Sequence, residues 1–478
     1  MRLFIYVLCF FTLSINNCFC QLKPTITTEI GSFLGTSSQL PFWQSANQFG
    51  AVPNTSPALV GKIGVHSVTK TDSLYKQPFL GIRYDFEAFG SLESKSQFNI
   101  IEANIELRFG KFILNGGRKK EIYGLADTLL STGSMGYSAN ALPIPKIQLA
   151  TQGYIEVPFT DYLFAFQGTY AHGWLGETKY APNWPNPSVY KFDKLFLHQK
   201  TFYGRIGKPS WKYNFFGGFI HSVYWGNERN YSNIELSDAE IYRRVILGLN
   251  WSASSVGNSL GTVDVAMSIN GKKWQKYFYR QFFYDTGSLL NGRNLDGLTG
   301  VRFSRKSMSN NKFNINQFLI EYLYTNDQLD PSLAKLANLP IAHNDYFNHY
   351  IYLDGWTYKG RLLGSPMATL DKNLKENAGN KDYKLPILAI SNNRIYALHI
   401  AVKGVYAKNV NFMIKTTFSR NEGTYGIAFA PPRYQFSSLI AAERKFKNGI
   451  IGKASLATDL GGLYTNQAGL YIGIMKRW

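Results

Sequence analysis

The most regular feature of this chain is an alternation of apolar and polar residues with a period of two. Ile101, Ala103, Ile105, Leu107 and Phe109 are apolar, and Glu102, Asn104, Glu106 and Arg108 stand between them. A β-strand sends successive side chains to opposite faces, so this segment presents one oily face and one polar face. The pattern recurs. Tyr84, Phe86 and Ala88 alternate with Arg83, Asp85 and Glu87. Tyr162, Phe164, Phe166 and Tyr170 line one face of another strand. Val263, Val265, Met267 and Ile269 oppose Asp264, Ala266 and Ser268; Phe318, Ile320, Tyr322 and Tyr324 oppose Glu321. Phe412, Ile414 and Phe418 run against Asn411, Lys415 and Thr417. No helical stretch of similar clarity follows residue 80. Asn270-Gly271 and Lys447-Asn448-Gly449 read as hairpin turns, because Asn and Gly both accept positive φ. Longer polar connections are expected at 174–194, 226–240, 285–298, 326–347 and 364–392.

One alternating strand fits a soluble sandwich as well as a membrane barrel. Many strands joined alternately by short and long connections follow the habit of outer-membrane barrels. About 25 residues for each strand and its connection, a rough allowance, gives about 16–20 strands. The predicted fold is therefore all-β: a transmembrane antiparallel barrel of about 18 strands, with short periplasmic turns and long outer loops. The C-terminus agrees, since Leu470, Ile472, Ile474 and Trp478 share a face and the chain closes on an aromatic residue, although Lys476 interrupts that face.

Composition adds to this picture. The 478 residues include 31 Tyr, 34 Phe and 9 Trp beside 43 Gly. Aromatic girdles and crowded, curved strands account for both excesses. At the N-terminus, Arg2 precedes an apolar run from Leu3 to Ile15 that is too short to span a bilayer as a helix. Small residues follow, as in a secretory signal peptide cut between Cys20 and Gln21. The three cysteines, Cys9, Cys18 and Cys20, would leave with it, which removes disulfides, thiolate metal sites and cysteine nucleophiles. The expected division is 1–20 signal peptide, 21–58 N-terminal lead-in segment or small plug, and 59–478 barrel in the outer membrane of a Gram-negative cell. The formal charge of +20 is spread along the chain. It suits solvated loops and snorkelling side chains, or attraction to an acidic polymer or acidic lipid headgroups. An export signal argues against nucleic acid as a partner.

Three segments resemble the Wzi family of outer-membrane capsule-assembly proteins. They are Gly31–Trp43 with Asn47–Gly50; Gly117–Glu121 with Gly133–Pro145; and Gly355–Arg361 with Gly364–Pro366. The resemblance implies a barrel of roughly 18 strands that holds capsular or other exported polysaccharide at the cell surface. The family pattern includes an N-terminal helical bundle plugging the periplasmic side. Residues 59–66 read instead as a strand, so that plug is expected to be absent or replaced.

Sugar binding needs flat apolar faces and dense polar groups. Trp174, Tyr180, Trp184 and Tyr190, with Asn183 and Asn186, fall in one expected loop. Trp225, Asn227, Arg229 and Tyr231 fall in the next, and Trp356, Tyr358, Lys359 and Arg361 near a third. These are candidate polysaccharide contacts, with interface girdle and ordinary loop polarity as the alternative reading. Arg118, Lys119, Lys120 and Glu121 are expected to face the lumen and pair with acids of neighbouring strands. Pro143 and Pro145 mark a segment in the lumen or a loop, and Asn140 lies in the same motif. No His-Glu-x-x-His helix and no phosphate-binding loop occurs. The dense group His343, Asn344, Asp345 and His349 offers a metal or Ser-His reading beside that of plain loop residues. The function expected is a non-enzymatic polysaccharide-binding barrel with no cofactor or metal; the alternative is a solute or oligosaccharide porin. Partners would be the surface polysaccharide, an acidic polymer being one option, outer-membrane lipids including lipopolysaccharide, and the barrel-assembly machinery.

Overall fold

The computed structural model describes residues 22–69, 80–180, 190–228, 236–249, 256–285, 295–307, 311–330, 334–335, 338–349, 351–376 and 389–478. The expected signal peptide lies outside them. Strands β1 (Leu22–Gly35), β2 (Ala58–Thr69), β3 (Leu80–Leu92), β4 (Gln97–Phe109), β5 (Phe112–Arg118) and β6 (Pro145–Thr151) follow in order. Then come β7 (Ile155–Glu156), β8 (Phe164–Tyr180), β9 (Tyr190–Ile206), β10 (Tyr213–Trp225), β11 (Asn258–Asn270), β12 (Trp274–Asp285), β13 (Gly297–Arg305) and β14 (Phe313–Tyr324). Four short strands lie off the wall: β15 (Thr357–Tyr358), β16 (Arg361–Leu362), β17 (Thr369–Leu370) and β18 (Ile390–Asn392). The wall resumes with β19 (Ile395–Tyr406), β20 (Val410–Gly423), β21 (Ala428–Lys445), β22 (Ile450–Gly461) and β23 (Gln467–Arg477).

Neighbouring wall strands pair antiparallel, and β1 pairs with both β2 and β23, so the sheet closes and keeps no free edge. β6 and β7 both lie along β8 and fill one place in the wall, which makes an 18-stranded barrel. This corrects the reading of 21–58 as a lead-in or plug: Leu22–Gly35 is a wall strand, and only 36–57 leaves the wall. The first described strand and the last meet at the end of the barrel that carries the short turns, where the Trp478 N–H donates to Ile26 O at 2.9 Å. At that end Asn448 and Gly449 both adopt positive φ, 57° and 72°, in the turn between β21 and β22.

The alternation sorts wall residues as strand geometry requires. On β4, Ile105 is 58% exposed to the exterior and Glu106 is 3% exposed, facing the lumen. Ile101 departs from the expected face. The register slips between Glu87 and Ala88, and the bulge turns Ile101 inward, where it is fully buried. Tyr162 also departs: it sits at φ 61° in the turn before β8, outside the strand it was expected to share.

A barrel of this size must be filled or left open. This one is filled by three connections that enter from the long-loop end: 36–57, 119–144 and the described residues of 325–394. Leu130, Met135, Tyr137, Tyr346 and Trp356 from these connections share one apolar core with Tyr203, Ile220, Tyr224 and Phe283 of the wall. The short helix α1 (Phe42–Ser45) belongs to the first connection. Trp43 packs there against His399 at 4.9 Å, lies 4.6 Å from Lys415 Nζ, and donates its indole N–H to Thr417 Oγ1 at 3.1 Å.

Helix α2 (Asp238–Leu247) was not expected, because 226–240 reads as polar loop. Ser237 caps it, accepting from the Glu240 N–H at 3.2 Å, and Gly248 ends it at φ 65°. Its buried Ile241 and Val245 pack on Val223 and Val256. Neighbouring Tyr224 points into the lumen, so Val223 points outward and α2 lies on the outside of the barrel. Lys200, also outward, donates to Ile246 O at the C-terminal turn of α2.

Candidate functional site

The three plug connections bind one another through hydrogen bonds. Ser138 Oγ donates to Gly364 O at 2.7 Å, and Asn140 Nδ2 donates to Leu362 O at 3.0 Å. The indole N–H of Trp356 donates to Gly136 O at 3.1 Å, and Arg361 Nη1 to Ser45 O at 3.2 Å. Asn47 Nδ2 donates to Thr132 O at 3.1 Å, and the Phe49 N–H to Ala139 O at 2.5 Å. Gly364 permits the closest approach: a Cβ there would stand 2.2 Å from Met135 O.

Carboxylates fix the plug to the wall. Glu321 of β14 accepts from Ser131 Oγ at 2.6 Å, from the Thr132 N–H at 2.7 Å, and from Tyr279 of β12. Asp264 of β11 accepts from the Leu125 N–H at 2.9 Å and from Gln281 Nε2 at 2.8 Å. In the other direction, Asp127 of the plug accepts from Arg302 Nη1 at 3.1 Å. Glu121 meets Lys146 Nζ at 2.7 Å. Burial works against the charged form of Glu121, but Lys146 and the hydrogen bonds from Tyr123 and Gln148 hold its carboxyl below the usual range.

At the outer end these connections leave a cleft of about 550 Å³. Segment 38–55 forms one side, the hairpin of β15 and β16 with 366–373 another, and Asp459 and Gln467 of the wall with Tyr464 of the turn between them a third. Phe42 and Tyr464 stack on each other at 5.7 Å and 13°, an aromatic pair at the edge of the cleft. Lys359 and Gly360 turn the hairpin with positive φ of 48° and 74°. Lys372 crosses this turn, its Nζ 2.9 Å from where a Cβ on Gly360 would lie. Burial draws the Arg361 guanidinium down to about 10, with Glu93 opposing. Burial, and then Arg361 itself, lower Lys372. A volume of this size, one apolar face and convergent polar groups are the ordinary features of a small-ligand site.

The predicted contacts divide. Lys359 and Arg361 line the cleft. Trp356 does not: it is fully buried and stacked on Tyr224 at 4.0 Å, so no sugar reaches its faces. Tyr358 is buried as well, its hydroxyl accepting from Arg118 at 2.9 Å. Both were read as loop-surface aromatics; the segment instead folds inward. Trp174 and Trp225 are outward-facing wall residues, Trp174 packed on His172 at 4.9 Å and Trp225 on Tyr242 of α2 at 5.3 Å. Trp184, Arg229, Tyr231, Asn183 and Asn186 lie outside the described residues. Of the charged motif, Arg118 also donates to Pro143 O at 2.9 Å, Lys119 pairs with Glu106, and Lys120 pairs with Glu87 at 2.6 Å. Pro145 opens β6 opposite Arg118. Phe42, Tyr464 and Lys372 were not anticipated as site residues. Phe42 lies in the Gly31–Trp43 segment, but nothing in the sequence pairs it with Tyr464.

The histidine group does not converge. His343 stacks on Tyr425 at 3.8 Å and contacts Asp327 O, while Asp345 accepts from Asn348 and Asn393. His349 Nδ1 accepts from the Ile351 N–H at 3.1 Å. Among the described residues no three His, Cys, Asp or Glu side chains gather as a metal site. Gly257-Asn258-Ser259-Leu260-Gly261 spells a nucleophile-elbow pattern, but Ser259 sits in the β10–β11 ladder and not at a strand-to-helix turn.

The sequence profile of the capsule assembly protein Wzi matches residues 44–373, more than half of the chain. The chain belongs to the Wzi family. It is an outer-membrane β-barrel of that family. Wzi of Escherichia coli, a carbohydrate-binding β-barrel involved in group 1 capsule assembly, superposes with a TM-score of 0.55 at 12% identity, covering 97% of this chain and 86% of that one. OccAB2 of Acinetobacter baumannii gives 0.47 at 10% identity, covering 95% and 98%. OccD3 of Pseudomonas aeruginosa gives 0.44 at 11%, covering 96% and 91%. No curated protein sequence matches. The three segments that carried the Wzi resemblance include those that meet in the plug and around the cleft, so the family motifs and the candidate site coincide in space.

Proposed function

We propose that this Wzi-family protein is a non-enzymatic surface lectin. Its outer cleft binds exported capsular or other surface polysaccharide and so helps to assemble or retain that layer. The observation that carries this reading is the cleft itself: the Phe42–Tyr464 aromatic pair, amide groups and cations, open at the outer end of the barrel. The carbohydrate binding of the Escherichia coli relative points the same way. The apolar exterior would sit among outer-membrane lipids, lipopolysaccharide included, after insertion by the barrel-assembly machinery. Binding of detergent-folded protein to the producing cell's own surface polysaccharide tests the reading. Saturable binding, with less polymer retained on cells lacking the protein, is expected. Polymer hydrolysed during incubation would overturn the non-enzymatic part. Absence of binding together with steady conductance in planar bilayers would replace the lectin with a porin.

A further inference from the structure

Several cations inside the lumen face carboxylates: Lys146 with Glu121 at 2.7 Å, Lys120 with Glu87 at 2.6 Å, Arg302 with Asp127 at 3.1 Å and Lys453 with Glu29 at 2.8 Å. Two others are held by different groups: Arg118 donates to Pro143 O and to the Tyr358 hydroxyl, and Lys415 lies over the Trp43 ring. The cleft holds Lys359, Arg361 and Lys372, and among the described residues no carboxylate lies within ion-pair distance of any of them. Two nearby acids are occupied elsewhere. Asp459 accepts from the Phe42 N–H at 2.8 Å, Ser437 Oγ at 2.6 Å and Gln467 Nε2 at 3.2 Å. Glu93, whose field reaches Arg361, accepts from the Thr55 N–H at 2.6 Å, Thr55 Oγ1 at 2.7 Å and Ser91 Oγ at 2.6 Å. Three like charges around one cavity repel one another, and an anion bound among them would relieve that repulsion. An arginine fork suits a planar carboxylate or a phosphate, and a lysine beside it adds a mobile point charge. The Phe42–Tyr464 pair adds apolar aromatic surface beside these cations, as a sugar ring requires.

We propose that the cleft is a subsite for an anionic sugar unit, its acid group held by Arg361 and Lys372 with Lys359 at the rim and its apolar surface beside the Phe42–Tyr464 pair. This rests on the polysaccharide reading and names the class of residue read. Carboxylate and phosphate share the chemistry, and the test separates them.

The probe is the producing cell's surface polysaccharide in three forms: native, with carboxyls reduced to alcohols, and with phosphates removed. Wild-type protein should bind the native form in a salt-sensitive way. One of the two treatments should weaken binding about tenfold or more, as loss of charge-assisted hydrogen bonds does, and it identifies the acid group. Arg361→Gln and Lys372→Gln should weaken native binding by a similar factor and add little on the neutralised polymer. Lys372→Gln is the safer variant for folding, because Arg361 also bonds Ser45 O; heat-modifiable gel mobility checks both. Equal binding of all three forms, with the variants unaffected, would overturn the anionic subsite and leave the lectin standing. Failure of wild-type protein to bind any form would bring down the lectin reading itself.

Discussion

Trp356→Ala should open the plug while leaving the barrel wall intact. The indole is fully buried between two layers: stacked on Tyr224 of the wall at 4.0 Å and bonded to Gly136 O of the neighbouring plug connection at 3.1 Å. Truncating a buried Trp to Ala costs about 3–5 kcal/mol, cavity included. Within that figure the ring pair accounts for about 0.5–1.5 kcal/mol. The stranded Gly136 carbonyl accounts for about 1–3 kcal/mol. At about 1.4 kcal/mol per tenfold, the open-plug population rises roughly a hundredfold or more. Trp356→Phe keeps a ring on Tyr224 but loses the donor and part of the ring volume, so its effect should fall between the carbonyl term of about 1–3 kcal/mol and the Ala value. Hydrogen exchange across 351–370 measures the opening, and planar-bilayer conductance reports its consequence. Heat-modifiable mobility should be unchanged, because the ladders on both sides of β10 make no use of Trp356. Wild-type protection of 351–370 in Trp356→Ala would refute the argument. So would loss of polysaccharide binding with the plug still protected, since that would return Trp356 to the ligand.

Lys146→Met should destabilise by about 3–5 kcal/mol by stranding Glu121 in the lumen, and Lys146→Met/Glu121→Leu should recover most of it, both read from the thermal midpoint of heat modifiability. Lys200→Met should loosen α2, since it removes the donor to Ile246 O; the loss of about 0.3–2 kcal/mol would show as faster exchange across 241–247, and unchanged exchange would mean that Ile241 and Val245 alone hold the helix. Burial lowers His349 to about 3, and its Nδ1 must stay unprotonated to accept the Ile351 N–H. An unfolded histidine titrates near 6.5, so the unfolded plug binds the extra proton first. The stabilisation is complete above about pH 6.5 and is lost as the pH falls towards about 3. Exchange across 343–356 should quicken over that window and lose part of its pH dependence in His349→Asn.

The wall was legible because its constraint is periodic. Ile105 against Glu106, or Ile414 against Lys415, says which residue meets lipid and which meets the lumen, and twofold strand geometry does the rest. Ile101 broke the rule at a bulge, where one extra residue reverses every later face without a mark in the sequence. The plug was illegible for the opposite reason. Residues 351–370 have no period, carry Gly and Pro, and look like an exposed loop, yet they are mostly buried by polar contacts to 133–145 and 45–47. Lys359 and Arg361 were found through a motif; Lys372 and Tyr464 join them only through tertiary folding. Helix α2 left one usable trace, the Ser237-x-x-Glu240 spacing of a capping box.

The cleft and the plug are the same residues seen from two sides. Asn140 Nδ2 holds Leu362 O and Arg361 holds Ser45 O, and all of these positions also line the cleft. A polymer bound across them therefore binds only the closed arrangement. Linkage then requires that it stabilise the plug, by about 2.7 kcal/mol at a hundred times its Kd. The reverse also holds: whatever loosens the plug weakens the cleft in proportion to the open fraction. A plug formed from outer connections thus does two things that a separate periplasmic domain could not do together. It fills the lumen, and on the proposed reading it makes the filling material the binding surface on the side where exported polymer would arrive.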